Sequence, residues 1–218
     1  MKRHMLAATT VVALLFLLTL GASLASANVV TFSLTSDHCG GFNTDNSGCL
    51  PAGGSAGTIT LTDVTGGVSV DVTLGSAYKF VSTGFQTDFG FNLTGSPTIA
   101  FSGVTAGWTP NGTTAGSLMM DGTGTFQYGL VCTVCSNGGS NPQTGPLDFT
   151  ITGTGLSTSS FTTNSLGQYF AVDILGQGVT GAVDASGPTT TVPDGGMTLM
   201  LLGGALVGLE SLRRKFRV

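Results

Sequence analysis

Residues 67–74 read Gly67-Val68-Ser69-Val70-Asp71-Val72-Thr73-Leu74 and carry the clearest structural pattern in the chain. Apolar side chains alternate with polar ones, which is the period of a β-strand with one buried and one solvated face. The same alternation occurs at 30–35 and 58–62, where threonine and serine fill the polar phase. These segments predict strands whose Thr/Ser faces contact water.

Other segments share this enrichment in β-branched and aromatic residues. They cover residues 78–82, 88–93, 98–102, 123–131, 147–152 and 168–175. Turn signals such as 65–67, 95–97 and 136–139 separate them, and only 157–165 suggests a short helical turn. About nine short strands without a long amphipathic helix predict an all-β fold, an antiparallel β-sandwich over residues 28–182. Residues 183–191, with Gly187-Pro188 and three threonines, are expected to be a flexible spacer.

The first 27 residues have the pattern of a secretion signal peptide. Lys2 and Arg3 form a basic start, and residues 6–20 are almost entirely apolar. Ala25-Ser26-Ala27 then offers a small-residue cleavage site, with Asn28 as the new N-terminus. An uncleaved membrane helix is the alternative, but a span needs about 20 apolar residues and this run is shorter.

The last 27 residues, 192–218, have three parts. They are the motif Val192-Pro193-Asp194-Gly195-Gly196, the apolar run 197–212, and a basic tail of Arg213, Arg214, Lys215 and Arg217. The apolar run predicts a transmembrane helix of roughly 24 Å, slightly short for a hydrocarbon core of about 30 Å. The basic tail favours a cytoplasmic C-terminus, so we expect residues 28–191 to lie beyond the inner membrane.

This three-part tail resembles the PEP-CTERM sorting signals of exported bacterial proteins, and more narrowly their VPDSG-type variant. The resemblance implies a processing partner, an exosortase, that cleaves near the motif and releases or re-attaches the ectodomain. Gly195 stands where the variant has serine, and Glu210 interrupts the apolar run. The resemblance covers residues 192–218 alone. Because sorting signals of this kind anchor the chain before cleavage, the resemblance implies a membrane-anchored precursor. It also implies a mature form at the cell surface or outside the cell.

Charge restricts the partners of the predicted ectodomain. Between residues 28 and 191 there are nine aspartates, no glutamate, no arginine and a single lysine, Lys79, so the net charge is −8. Such a surface repels phosphate backbones, which excludes nucleic acid as a partner. Cations and neutral glycans, including extracellular polysaccharide, fit this charge better.

Four cysteines, Cys39, Cys49, Cys132 and Cys135, are expected to form disulfides because an exported chain meets oxidising conditions. Three pairings are possible, and we favour Cys39–Cys49 with Cys132–Cys135. A redox-active Cys-x-x-Cys is one alternative, although such thiols usually lie at a helix N-terminus and residues 130–139 predict a strand end and turn. A zinc site that includes His38 is the other.

Catalytic groups are scarce. His38 is the one histidine between residues 28 and 191, and no nucleophile-elbow pattern accompanies it. We therefore expect a loop histidine and no catalytic residue. A glycosidase needs two carboxylates in a cleft, but Asp71, Asp148 and Asp173 fall mostly in the polar phase of strands, where solvation is expected.

Calcium is the cofactor that the oxygen-rich acidic segments suggest. Asn43, Asp45 and Ser47 place oxygen ligands at alternate positions, with Gly48 sixth, as in a calcium loop. The acid expected at the twelfth position is absent, since Gly54 stands there. Asp173 and Asp184 are further calcium candidates.

These observations favour a non-enzymatic exported surface or extracellular-matrix protein. A glycan- or calcium-binding module that contacts extracellular polysaccharide is the alternative, and a secreted hydrolase is a weaker one.

Overall fold

The computed structural model describes residues 27–40, 48–120 and 122–192, together with 203, 204, 206 and 207. The described chain forms sixteen strands and a 3₁₀ turn at Thr158–Ser160. The strands are β1 (Val29–Ser33), β2 (Ser36–Asp37), β3 (Gly57–Val64), β4 (Gly67–Leu74), β5 (Lys79–Phe80), β6 (Phe89–Leu93), β7 (Ala100–Ser102), β8 (Trp108–Pro110), β9 (Leu118–Met120), β10 (Gly124–Phe126), β11 (Tyr128–Cys132), β12 (Leu147–Thr152), β13 (Phe161–Thr162), β14 (Phe170–Gly176), β15 (Val179–Ala185) and β16 (Pro188–Val192).

Two antiparallel sheets make up the domain, which confirms the all-β sandwich. One has six strands in the order β16-β1-β3-β4-β12-β7. The other is eight-stranded, with the order β2-β15-β14-β6-β11-β8 and with β13 beside β6 and β5 beside β14. A separate ribbon joins β9 and β10.

The core lies between the two sheets. Val68, Val70 and Val72 of β4 are fully buried, as their alternation predicted. Phe149 of β12 reaches across to the other sheet, with its ring centroid 5.7 Å from that of Phe89 and 6.1 Å from that of Phe91. Aromatic pairs of this kind add about 0.5–1.5 kcal/mol each beyond their burial. The phenylalanines therefore hold the sandwich together, as expected from their apolar phase.

The outer side of the six-stranded sheet presents hydroxyl groups. Strand register sets Thr31, Thr60, Asp71 and Asp148 in one row across four strands. Thr62, Ser69 and Thr150 form the next row. We call this surface the hydroxyl face; its hydroxyl members are Thr31, Thr58, Thr60, Thr62, Ser69, Thr73 and Thr150.

The prediction of a flexible spacer at residues 183–191 was wrong. Residues 183–185 end β15, and residues 188–191 lie in β16, which pairs with β1 from Val29 opposite Val192. Threonine is a good strand former, and an edge strand tolerates proline at its first position. The compact unit accordingly runs from Asn28 to Val192.

The β9–β10 ribbon covers the outer side of the eight-stranded sheet. Met120 and Phe126 are buried in a cluster with Ala171 of β14. Gly90 of β6 lies beneath them, and a methyl group there would come within 2.8 Å of the Phe126 ring. The stretch 123–131, predicted as one strand, is split between β10 and β11, because its two halves pair with different neighbours.

The predicted signal sequence before Ala27 and most of residues 193–218 lie outside the described residues. Gly203, Gly204, Leu206 and Val207 are helical. Within the described chain, no helix has the length and apolar character needed to cross a membrane.

Candidate functional site

Three buried aspartates lie on the outer side of the eight-stranded sheet, away from the core. Asp88, Asp173 and Asp184 are 1 %, 0 % and 0 % exposed. Asp173 alternates with Val172 and Ile174, which belong to the core, so its side chain points to the opposite side. The Asp173 amide donates to the Asp88 carbonyl at 2.9 Å, which places the two residues side by side on β14 and at the start of β6. Burying carboxylates costs free energy unless they are hydrogen-bonded.

Asp88 fixes the end of β11. Its Oδ2 accepts the amide of Cys132 at 2.7 Å, and the Ser82 hydroxyl hydrogen-bonds the same carboxyl group. Burial raises the pKa of Asp88 above its ordinary value of 3.8, although these two hydrogen bonds oppose the shift. The carboxyl group thus anchors the strand that carries the Cys-x-x-Cys segment.

Asp173 holds the loop that follows β5. Its Oδ2 accepts the backbone amide of Thr83 at 3.1 Å and also the Thr83 hydroxyl. The expectation that Asp173 is solvated was therefore wrong. β14 is covered on both sides, so its polar phase faces the loop at residues 81–87 rather than water.

Asp184 pairs with His38. The Nε2 atom of His38 lies 2.7 Å from Oδ2 of Asp184, and Ser36 and Gln168 also hydrogen-bond this carboxyl group. Burial raises the pKa of Asp184 above 3.8, and the positive charge of a protonated His38 acts against that rise. His38 does lie in a loop, as expected, but it has a buried acidic partner.

Ser36, His38 and Asp184 do not have the arrangement of a catalytic triad. The Ser36 hydroxyl lies 3.2 Å from Nε2 of His38, the same nitrogen that contacts Asp184. A triad places the acid on one ring nitrogen and the nucleophile on the other, so that the proton can be relayed. The three groups instead form a compact hydrogen-bonded cluster around one nitrogen.

Both favoured disulfides are present. Cys39 and Cys49 are joined, as are Cys132 and Cys135, so all four cysteines of the chain are oxidised. Asp37 braces the first loop, because its two carboxylate oxygens accept the amides of Cys39 and Leu50 at 2.9 and 2.7 Å.

Asp37, Cys39 and Cys49 lie close enough together to share a metal ion, with ligand atoms within 4.8 Å of one another. Zinc, however, binds the thiolate form of cysteine. The sulfurs of Cys39 and Cys49 are joined to each other, which removes the thiolates on which the zinc alternative depended.

Asp71 and Asp148 face each other on the hydroxyl face. They are directly opposite on β4 and β12, and the Thr73 hydroxyl donates to Oδ1 of Asp71 at 2.8 Å. Partial burial and the neighbouring Asp71 carboxylate raise the pKa of Asp148. Asp173 belongs to the other sheet, so the three carboxylates considered for a glycosidase are not brought together.

Two of the predicted sorting and processing residues, Asn28 and Val192, are the first and last residues of the compact unit. Asn28 is held by its side-chain amide, which donates to the Thr158 hydroxyl at 2.8 Å. Ala27 before it is exposed, and Val192 ends β16. The remaining candidates lie outside the described residues: Ala25, Pro193, Asp194, Gly195, Gly196, Arg213, Arg214, Lys215, Arg217, and the calcium-loop positions Asn43, Asp45 and Ser47.

The Ser36–His38–Asp184 cluster was not predicted from the sequence. One signal does point to it: Asp184 is the only charged residue in Val179–Ala185, a segment that is otherwise apolar or small. A lone carboxylate in such a strand usually has a specific partner when buried. The glycine, proline and threonines that follow Asp184 favour a spacer instead, and they mask this signal.

No protein-family model, curated protein or solved structure matches this chain.

Proposed function

We propose that the chain is an exported, non-enzymatic surface or extracellular-matrix protein whose C-terminal tail is processed by an exosortase-type enzyme. The observation that carries this proposal is the position of the motif Val192–Gly196. It begins at the last residue of β16, where the compact unit ends. An apolar run and a basic cluster follow it in sequence. A processing enzyme would therefore meet its motif at the margin of a folded domain.

Two features of the domain support export. Both disulfides belong to a class that persists in oxidising compartments and is rare in the cytosol. The compact unit also begins at Asn28, the residue expected after signal cleavage. A cut before Asn28 would leave its hydrogen bond to Thr158 intact.

The arrangement of polar groups supports a non-catalytic role. The one imidazole in the described chain directs Nε2 to both Asp184 and Ser36. Asp88 and Asp173 accept backbone amides from Cys132 and Thr83, so each fixes a loop or strand end.

Fractionation of the producing cells tests the sorting proposal. A chain that ends at Val192 keeps β16 and lacks the tail, so we expect it to be exported and soluble, whereas the full chain passes through a membrane-bound precursor. A matched variant replaces Arg213, Arg214, Lys215 and Arg217 with serine in the full chain; it should export but be retained or processed less efficiently. Identical fractionation of truncated and full chains would contradict the proposal.

Glycan binding on the hydroxyl face is a second candidate. The observation that favours it is the register of Thr31, Thr60, Asp71 and Asp148, which lines up hydrogen-bonding groups across four strands. A neutral or amino-sugar polysaccharide would match this surface, because the domain has almost no positive charge.

Retention on immobilised polysaccharide tests this second candidate. We expect Thr60→Val with Thr150→Val to elute earlier than wild type, while Thr125→Val, an exposed threonine on the β9–β10 ribbon, leaves elution unchanged. Repeating the run with added calcium tests whether the ion contributes, and thermal unfolding with and without calcium gives an independent measure. If wild type is not retained under either condition, glycan binding is excluded.

A further inference from the structure

The two disulfides occupy different surroundings. Cys39–Cys49 has a sequence separation of 10 and joins a partly buried residue to Cys49, which is 0 % exposed. Cys132–Cys135 has a separation of 3 and lies where β11 runs into a turn. Cys132 is buried, but Cys135 is partly exposed between exposed neighbours, Val134 and Ser136. A thiol from solution can therefore approach Cys135 more easily than Cys132, its buried partner in the same disulfide.

The same loop has groups that distinguish its two sulfurs. The Cys135 amide lies 3.2 Å from Sγ of Cys132 and donates to it. A donor in this position stabilises negative charge on Cys132 once the disulfide opens. Sγ of Cys135 lies 3.7 Å from the Phe80 carbonyl oxygen, an acceptor that favours a protonated thiol there. Cys132 is thus the better leaving group and Cys135 the better target.

Asp88 fixes the position of the Cys132 backbone. Its carboxylate holds the Cys132 amide at 2.7 Å and is itself buried. Cys132 also lies directly opposite Trp108 of β8. With the Cys132 backbone held on both sides, opening the disulfide moves the turn at residues 133–136 rather than the strand.

We propose that Cys132–Cys135 is a thiol–disulfide exchange site that accepts a low-molecular-weight thiol or an exposed protein thiol at Cys135. The entering thiolate attacks Sγ of Cys135 and forms a new S–S bond. The Cys132–Cys135 bond breaks, and its electron pair goes to Sγ of Cys132, which takes a proton from water. A second thiolate then attacks the external sulfur of the mixed disulfide, and the bond from that sulfur to Sγ of Cys135 breaks. Its electron pair goes to Sγ of Cys135, which takes a proton from water, so the products are the dithiol form of the protein and the oxidised thiol.

Chain entropy separates the two disulfides further. A cross-link stabilises the fold in proportion to the logarithm of the loop that it closes, so the short loop contributes less than the longer one. We therefore expect the opening of Cys132–Cys135 to destabilise the sandwich less than the opening of Cys39–Cys49 would. Reversible exchange at Cys132–Cys135 requires that its opening cost little stability, because an unfolded chain could not re-form the same disulfide.

Trp108 provides a selective optical probe, since it is the only tryptophan in the chain. A disulfide beside an indole ring quenches its emission, and Cys132 is the cysteine opposite Trp108. Reduction of Cys132–Cys135 should raise tryptophan emission while circular dichroism stays constant. Reduction of Cys39–Cys49 should not change the emission.

The test equilibrates the full-length chain, purified in detergent, in a series of glutathione redox buffers, followed by acid quenching, alkylation and peptide mass spectrometry. We expect Cys132–Cys135 to open at a lower ratio of reduced to oxidised glutathione than Cys39–Cys49. The difference between the two midpoint ratios should be about tenfold. The glutathione adduct should be on Cys135, and Trp108 emission should follow the opening. Opening of Cys39–Cys49 first, simultaneous opening of both, or an adduct on Cys132 would overturn the proposal.

Two paired variants make the assignment independent of mass spectrometry. Cys39→Ser with Cys49→Ser should keep the emission response, whereas Cys132→Ser with Cys135→Ser should lose it. A response that persists in the second variant would also overturn the proposal. If either variant fails to fold, the redox titration of the wild-type chain decides on its own.

Discussion

The imidazole of His38 ties the segment after β2 to β15, with Nε2 2.7 Å from Oδ2 of Asp184. The backbone reinforces this link, because the His38 amide donates to the Ala182 carbonyl at 3.0 Å. The pair therefore secures the loop that carries Cys39 against β15 of the eight-stranded sheet. Asp184 is fully buried, and its contact with His38 opposes the rise in its pKa that burial causes.

Replacing His38 with alanine should destabilise the domain near neutral pH. Asp184 then stays buried with Ser36 and Gln168 as its remaining hydrogen-bond partners, and the lost contact with His38 costs about 1–3 kcal/mol. The pKa of Asp184, already raised by burial, should rise further because His38 no longer lowers it. Urea denaturation gives the stability change, and NMR titration of the Asp184 carboxyl carbon gives the pKa.

The Asp184→Asn background provides the control for that measurement. Without a carboxylate, His38→Ala should cost less, since the interaction it removes is already absent. An equal cost in both backgrounds would show that His38 acts through packing and not through Asp184.

Burial of Asp88 predicts a pH-dependent stability with a definite sign. Its folded-state pKa lies above 3.8, so the folded protein binds this proton more tightly than the unfolded chain does. The stability that Asp88 contributes is complete below that value and is lost as the pH rises through the raised pKa. In Asp88→Asn the side chain does not titrate, and its amide oxygen can still accept the hydrogen bond from the backbone N–H of Cys132.

We therefore expect the stability of wild type, relative to Asp88→Asn, to fall as the pH rises above 3.8 and through the raised pKa of Asp88. Urea midpoints of both proteins at several pH values measure this difference. Parallel pH profiles for the two proteins would contradict the assignment of a raised pKa to Asp88.

The opposed carboxylates of Asp71 and Asp148 predict a stabilising substitution. Like charges directly opposite on neighbouring strands are unfavourable, so Asp148→Asn should raise the free energy of unfolding at neutral pH by about 0.2–1 kcal/mol. The gain should vanish in acid, where the carboxyl groups are protonated. Urea denaturation at both pH values measures it.

Asp63→Asn serves as the charge-matched control for Asp148→Asn. It removes the same net charge, but Oδ1 of Asp63 accepts the Thr158 amide at 2.6 Å, so no gain is expected. Equal gains from the two variants would indicate relief of overall negative charge rather than of this pair.

The fold was predictable from the sequence wherever one side of a strand faces water. β12 was predicted at Leu147–Thr152, its observed bounds, because the pattern alternates cleanly from Leu147 to Ile151. β14 was found too, but the environment of Asp173 was not: its strand is covered on both sides, and alternation does not reveal what covers the second side. β16 was missed because its sequence has no alternation of apolar and polar residues. Main-chain pairing with β1 holds this edge strand of threonines in place.

The candidate site was less predictable than the fold. The pairing of the cysteines was favoured from spacing and compartment among three possible pairings, and both favoured disulfides are present. The contacts of His38 with Asp184 and of Asp88 with Cys132 join residues far apart in sequence. Such contacts depend on strand order, which the pattern of alternation does not determine.

Gly90 predicts how firmly the β9–β10 ribbon is docked. An alanine methyl group at this position would approach the Phe126 ring to 2.8 Å and Sδ of Met120 to 3.0 Å. Because a buried aromatic ring cannot swing away freely, Gly90→Ala should lift the ribbon and cost about 1–3 kcal/mol. Gly187→Ala is the matched control, since no atom lies within 4 Å of the place that its methyl group would occupy. Hydrogen exchange should quicken at residues 118–126 in the first variant alone; unchanged exchange there would mean that the ribbon does not depend on close contact with β6.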